Sequence, residues 1–76
     1  MTPPSLSRAQ KLEEMAHHAL GRKSAEYFRK AAAEYRGVVE CRLTAFPGLT
    51  QYLAERCDDM AAGLEAAANA AQWVKA

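Results

Sequence analysis

The chain has 76 residues, a hydrophobic fraction of 50% and a formal net charge of +1, values typical of one small globular domain rather than a disordered segment. Acidic and basic residues are interspersed along the sequence, so we expect no nucleic-acid partner, because such binding needs clustered positive charge. No apolar run is long enough to span a bilayer or to act as a secretion signal, so direct membrane insertion is not expected.

The first predicted element is a helix over residues 5–20, which follows a disordered lead at residues 1–4. Ser7 stands three residues before Gln10, which is the spacing of a capping box at a helix N-terminus. The apolar positions recur every three or four residues and form one stripe: Ala9, Leu12, Met15, Ala16, Ala19 and Leu20. Gly21 is expected to end this helix, and the short break predicts an antiparallel second helix.

The second helix is predicted over residues 24–45. Its main apolar stripe consists of Phe28, Ala32, Tyr35, Val39 and Leu43. Further apolar residues lie on the flanks of this stripe: Tyr27, Ala31, Val38 and Cys41. So wide an apolar surface indicates that the helix packs against two partners, as the middle helix of a bundle does. Gly37 lowers helix propensity, and a close packing contact would explain its presence.

The segment Phe46-Pro47-Gly48 predicts the second break, because proline cannot continue a helix. A third helix is expected over residues 49–74, with a seam that alternates by four and three residues: Leu53, Cys57, Met60, Leu64, Ala67, Ala71 and Val74. Counting outward from the turn pairs apolar residues across the hairpin: Leu43 with Leu53, Val39 with Cys57, Tyr35 with Met60 and Ala32 with Leu64. We therefore predict an all-α fold, an antiparallel three-helix bundle with spectrin- or TPR-like packing.

Adjacent histidines at His17 and His18 raise the question of a metal site. Metal ligands on a helix share one face at spacings of three or four residues, whereas adjacent side chains point apart. We interpret both histidines as solvated surface residues and expect no metal and no cofactor. No glycine-rich phosphate site and no nucleophile paired with a base is found, so the chain itself is not expected to be an enzyme.

Cys41 and Cys57 lie nearly equidistant from the second turn, so a disulfide across the hairpin is one interpretation. The favoured interpretation is two buried free thiols that pack as small hydrophobic residues, in keeping with a reducing intracellular setting. Asp58-Asp59 is either a solvated face or an electrostatic attraction for a basic peptide.

Helix two contains the sequence EYFRKAAAEYRGVVEC, in which an aromatic residue is followed by alanine, a second aromatic residue and a β-branched pair. The residues that fill this pattern are Phe28, Ala31, Tyr35, Val38 and Val39. The pattern resembles that of MIT (microtubule interacting and trafficking) domains, which are carried by ESCRT-pathway AAA ATPases and several endosomal proteins. The segment ERCDDMAAGLE in helix three is similar to the matching part of that family.

The resemblance implies a cytoplasmic protein-interaction module that binds short C-terminal tails of ESCRT-III-type proteins and recruits its parent protein, such as an AAA ATPase, to endosomal membranes. Such tails lie as a helix between helices two and three, or as an extended strand between helices one and three. The residues that the resemblance assigns to the first of these grooves are Val38, Asp58, Ala61, Glu65 and Ala68. Ala61 takes the place of the apolar floor, and Glu65 that of the acid that pairs with a tail arginine.

Two other functions are open from the sequence. One is a self-associating structural bundle, a homo-oligomer in which the seam of helix three and the alanine-rich stretch Ala61–Ala71 pair with a second copy. The other is a small secretion-type co-chaperone. The alanines either leave shallow channels for side chains of a partner or simply support helicity and close packing. Trp73 is expected either to cap the open end of the bundle or to form an exposed contact.

Overall fold

The computed structural model describes the backbone of residues 2–75 and the side chains of residues 2–71. The chain forms three helices, α1 (Leu6–His18), α2 (Gly21–Glu40) and α3 (Pro47–Lys75), and the described residues contain no strand. The helices make an elongated bundle of 48 × 21 × 19 Å in which α2 packs along both of the others. The prediction of an all-α three-helix bundle is confirmed.

The N-terminus of α1 is fixed to α2 by the carboxylate of Glu34. Ser5 caps α1, since its side chain accepts a hydrogen bond from the Arg8 N–H at 3.0 Å, and this position differs from the predicted Ser7. Glu34 Oε1 accepts from the Ser5 N–H at 3.0 Å and from Arg8 Nε at 2.7 Å. Burial raises the pKa of Glu34, but the bonds from Arg8 and Ser5 outweigh burial, so this pKa lies below its usual value.

The segment before α1 passes over the C-terminal half of α2. Arg8 donates a hydrogen bond to the Pro3 carbonyl. Pro4 lies against Gly37, where an added Cβ would stand 3.1 Å from the Cβ of Pro4. The packing role of Gly37 is therefore to admit a proline side chain. The lead predicted to be disordered has these contacts at Pro3 and Pro4, while Met1 lies outside the described residues.

The connection between α1 and α2 consists of Ala19 and Leu20 alone. Gly21, which was predicted to end α1, is the first residue of α2 and has a φ of +57°, a conformation that glycine adopts at no steric cost. The buried Ser24 hydroxyl donates to the Ala16 carbonyl at 2.6 Å, which fixes the return of the chain. Helix α2 therefore begins before residue 24, and α1 ends before residue 20.

The C-terminus of α2 departs most from its predicted position, because the helix ends at Glu40 rather than at residue 45. Arg42 has a φ of +57°. The N–H groups of Arg42 and Leu43 turn back to the carbonyls of Val39 and Val38, at 3.1 and 2.9 Å. This is a Schellman motif, whose left-handed residue is usually glycine. Leu43 consequently lies outside the helix and is 52% exposed, so it does not belong to the predicted stripe.

The turn between α2 and α3 is held by two threonines. Thr44 Oγ1 accepts a hydrogen bond from the Phe46 N–H at 3.1 Å and lies 3.0 Å from Thr50 Oγ1. The Thr50 side chain is buried and donates to the Phe46 carbonyl at 2.9 Å. Pro47 is the first residue of α3, where its missing N–H leaves no helical bond unmade. The break lies at the predicted Phe46-Pro47-Gly48 segment.

Small side chains form most of the α3 side of the core. Its buried residues are Thr50, Ala54, Cys57 and Ala61. Cys57 belongs to the predicted seam, whereas the other seam members with described side chains are half-buried or exposed: Leu53, Leu64, Met60, Ala67 and Ala71. The buried stripe is displaced by one residue from Leu53 and Met60, because methyl groups let α3 approach α2 more closely than larger side chains would.

Helix α2 supplies the centre of the core, and its wide apolar face packs against both neighbours as predicted. Its buried residues are Ser24, Ala25, Phe28, Ala31, Ala32, Tyr35 and Val38. Helix α1 adds Ala9 and Ala16, while Met15 and Leu20 of its predicted stripe are exposed. Within the described residues, no helix combines the length and the apolar character needed to cross a bilayer. The side chains of Trp73 and Val74, on which two predictions rest, lie outside the described residues.

Candidate functional site

An open groove runs between α1 and α3, because these helices approach each other much less closely than either approaches α2. It contains two cavities, of about 400 and 210 Å³. The larger cavity is lined by Gln10, Glu13, Glu14, His17, Tyr35, Leu53 and Arg56. The smaller cavity shares Glu13, His17 and Arg56 with it and adds Phe28, Cys57 and Met60. We call the two cavities together the α1/α3 groove.

Glu13 connects all three helices across this groove. Its Oε1 accepts a hydrogen bond from the Tyr35 hydroxyl at 3.0 Å and a longer one from the Cys57 thiol at 3.8 Å. Its Oε2 accepts from Arg56 Nη2 at 2.6 Å. The Glu13 side chain is only 14% exposed, so Arg56 is needed to balance a largely desolvated charge. Both cavities are lined by this ion pair, so it lies where the two cavities adjoin.

The Cys57 thiol and the Tyr35 hydroxyl at the floor of the groove stay protonated at neutral pH. Burial raises the pKa of the Cys57 thiol to about 12, and the negative charge of Glu13 acts in the same direction. Burial and the hydrogen bond to Glu13 also raise the pKa of the Tyr35 hydroxyl above its usual value. A thiol that is not ionised is a poor nucleophile, so Cys57 acts here as a packing residue.

Both cysteines are free, and the prediction of a buried free thiol is confirmed for Cys57. For Cys41 the prediction of burial is wrong, because this residue is exposed at the C-cap of α2. The early end of α2 is the reason, since it places Cys41 beyond the last turn that packs on α3.

The two adjacent histidines face different surfaces. The ring of His17 meets that of Phe28 edge-on, with centroids 5.2 Å apart, and its Nε2 lies 3.8 Å from Glu13 Oε2. His18 lines a separate cavity of about 340 Å³ between α1 and α2, together with Tyr27. Both histidines are exposed, as predicted. Among the described residues, no three side chains of metal-binding type are grouped so that they could hold an ion.

The structure places the five residues predicted for a groove between α2 and α3 in two environments. Val38 and Ala61 are 0% exposed. Asp58 and Glu65 reach the surface beside the α2–α3 interface, and Ala68 is half-buried. Both side chains are fully buried in this conformation, so neither residue presents surface to a ligand.

Three arginines form a row on α2 that the sequence pattern did not reveal, and two of them bind Asp58 and Glu65. Arg22, Arg29 and Arg36 are spaced by seven residues and lie along one side of the α2–α3 interface. Arg36 and Arg29 both pair with Asp58, and Arg29 Nη2 lies 2.6 Å from Glu65 Oε1. Arg22 donates to a side-chain amide of α3 at 2.9 Å. The available signal was the equal spacing of Asp58 and Glu65, which are also seven residues apart.

Comparison with known proteins finds no relative whose ligand could be assigned to this chain by similarity. No family model matches the chain, and neither a curated protein nor a solved structure matches it significantly. The resemblance to MIT domains therefore rests on the sequence pattern alone.

Proposed function

We propose that this bundle is a protein-interaction module that binds short peptide segments of other proteins in the α1/α3 groove and catalyses no reaction itself. The observation that carries the proposal is the groove itself, an open cleft with a floor of Tyr35 and Phe28. Concave surfaces with an apolar floor and a few polar groups at the rim are where ligands commonly bind. The tails of ESCRT-III-type proteins are the first partners to test, because the sequence resembles MIT domains.

The α1/α3 groove is a better binding surface than the α2/α3 groove that the resemblance first assigned. A peptide that used Ala61 and Val38 as its floor would first have to uncover two fully buried side chains. A tail arginine directed to Glu65 would have to displace Arg29, which already binds that carboxylate. Between α1 and α3, by contrast, a ligand meets cavities that are open before it arrives, so little of the bundle has to rearrange.

The shape and charge of the groove define the peptide that fits it. The smaller cavity, lined by Phe28, Cys57 and Met60, accepts one apolar side chain of medium size. The Glu13–Arg56 pair and Glu14 lie along the larger cavity and offer partners for polar and basic groups of the peptide. A short segment that becomes ordered on binding is expected to bind in the micromolar range. In this proposal the chain works in the cytoplasm and recruits its parent protein to endosomal membranes.

The proposal is tested by titrating the isotopically labelled chain with a panel of ESCRT-III-type tail peptides while recording amide chemical shifts. We expect shifts at Gln10, His17, Leu53 and Met60. Met60→Glu places a charge in the smaller cavity and should weaken binding at least tenfold. Ala62→Glu, on the exposed side of the same helix, is the matched control and should bind like the original chain.

Two results would contradict this proposal. The first is the absence of any shift at millimolar peptide. The second is a set of shifts confined to Asp58, Glu65 and Ala68, which would support the α2/α3 groove of the sequence prediction instead.

Self-association is the second candidate, because α3 continues well beyond the end of α1. Glu13 pairs with Arg56, so His18, the last residue of α1, lies near the level of Ala61. Beyond that level, Ala67 and Ala71 are exposed, and a second copy could cover them. Light scattering of the free chain separates the candidates, since a stable dimer that Ala67→Glu dissociates would favour self-association.

A further inference from the structure

Four large apolar side chains are exposed at the end of the bundle where α2 turns into α3. Leu43, Phe46, Leu49 and Tyr52 are 52%, 69%, 58% and 57% exposed. We call these four residues the hairpin tip. An exposed apolar cluster of this kind usually marks an interaction surface. The α1/α3 groove, as lined above, includes none of the four, so the tip is a separate feature.

The tip is held in a defined conformation. On one side, the Schellman motif at Arg42 fixes the position of Leu43. On the other side, Thr50 bonds to the Phe46 carbonyl and lies 3.0 Å from Thr44 Oγ1. These hydrogen bonds fix the backbone of the turn at Phe46, and the Phe46 side chain is exposed in that fixed conformation.

Polarity changes in layers along the axis of the bundle at this end. The segment 43–54 contains no charged residue, and the flanking charges are Arg42 and Glu55. With a rise of about 1.5 Å per residue, Tyr52 lies about 4.5 Å and Glu55 about 9 Å from Leu49 along α3. Along α3, apolar residues thus come first, an amphipathic tyrosine follows and Glu55 comes last, while the exposed Arg42 directly precedes Leu43 after the end of α2. This order matches the interface of a lipid bilayer, where side chains are buried about 5–10 Å deep.

The exposed area is too small for a second copy to be the expected occupant. If a large side chain offers about 150–250 Å² in full, the exposed fractions of the four amount to roughly 350–600 Å². Complete burial in a symmetric dimer would remove roughly 700–1,200 Å², at or below the lower limit for a specific stable interface. Insertion into lipid has no such minimum, because each apolar group partitions separately.

We propose that the hairpin tip inserts into the interfacial region of a lipid bilayer, to the depth set by Tyr52. The contact is peripheral, since no described helix could cross a membrane, and it modifies the expectation of no direct membrane insertion for this one end. The bundle would then stand on the membrane with the α1/α3 groove along its side. This inference does not depend on the peptide function proposed above.

The test measures partitioning of the full 76-residue chain onto vesicles of phosphatidylcholine, and of phosphatidylcholine with one-fifth phosphatidylserine, by flotation. We expect binding to both compositions, with at most about a fivefold change between low and high salt, because the four tip side chains are uncharged and only Arg42 adjoins them in the sequence. Phe46→Ser should lower the partition coefficient at least tenfold. Leu20→Ser is the matched control, because Leu20 is 88% exposed at the opposite end of the bundle, and it should change partitioning less than twofold.

Three results would overturn the inference. The original chain could fail to float with either vesicle at millimolar lipid. Leu20→Ser could reduce partitioning as much as Phe46→Ser, which would show that binding is not located at the tip. Light scattering could show a stable dimer that Phe46→Ser dissociates, which would make a second copy the occupant. Circular dichroism of each variant should show the original helical signal, since both side chains are exposed.

Discussion

The interface between α2 and α3 and the interface between α1 and α3 are built from the same α3 helix but differ in almost every respect. Ala54 and Ala61 face α2, and there the helices close completely. Leu53 and Met60, each one residue earlier, face α1 and keep the helices apart around two cavities. Ion pairs of Arg29 and Arg36 run along the edge of the α2–α3 interface. Between α1 and α3, the Glu13 carboxylate of α1 pairs with Arg56 of α3.

The difference shows how side-chain size decides which side of a helix closes and which stays open. Methyl groups allow backbones to approach, so that dispersion contacts replace water along the whole length of the interface. Larger side chains that are not matched by holes in the facing helix act as spacers. In this protein the larger side chains line the α1/α3 groove, and the alanines line the closed interface with α2.

The largest effect is expected from a charge in the closed interface. Ala61→Asp would bury a carboxylate without a partner and should cost on the order of 3–5 kcal/mol. That is comparable with the entire stability of a small domain. We therefore expect the variant to lose its helical circular dichroism at 25 °C. Ala62→Asp, one position away on the exposed side, is the control and should stay folded. A folded Ala61→Asp with an unchanged melting temperature would show that the α2–α3 interface is open at this position.

An intermediate effect is expected from removal of the Glu13 carboxylate, which connects α1 to α3 and to Tyr35 of α2. Glu13→Ala leaves the Arg56 charge and the Tyr35 hydroxyl without their acceptor, at a cost of roughly 1–3 kcal/mol. Thermal denaturation should show a lower melting temperature, by about 4–8 °C per kcal/mol for a chain of this size. Glu14→Ala, on the exposed rim, provides the comparison and should melt within a few degrees of the original chain. An equal decrease of the melting temperature in both variants would mean that Glu13 does not hold α1 against α3.

The smallest effect is a gain in stability at the hairpin connection that joins the two helices of the closed interface. Arg42 adopts a left-handed conformation that costs an L-residue roughly 1 kcal/mol, and glycine adopts it freely. Arg42→Gly should therefore raise the melting temperature by about 4–8 °C. Arg42→Ala keeps the Cβ and should give no comparable gain. If both variants melted alike, φ at this residue would not be the source of the strain.

Much of the fold could be predicted from the sequence because helical periodicity and breakers are local signals. The three helices, the antiparallel order and the turn at Pro47 follow from residues that are close in the chain. The end of α2 could not be predicted, because the pattern continues through Leu43 and an arginine occupies the position that usually requires glycine. The position of Cys41 was missed for the same reason.

The candidate site was predicted less well, because it depends on which side of α3 faces which helix. The sequence pattern assigned the seam to the largest apolar side chains, including Leu53 and Met60. The structure buries the smaller neighbours instead, and Ala61, to which the resemblance assigns a groove floor, lies in the core. No local pattern singles out Glu13, because its contacts with Tyr35 and Arg56 join segments far apart in the chain.

By itself, the sequence determined an all-helical chain with two breaks, no clustered charge and a middle helix that is apolar on a wide face. These properties follow from propensity and periodicity within about ten residues. Tertiary structure alone decided that α3 closes on α2 through alanines, that α1 stays apart from α3 around Glu13, and that the hairpin tip is left exposed. The physical reason is that packing depends on the volumes of side chains from different helices together, and no single helix contains that information.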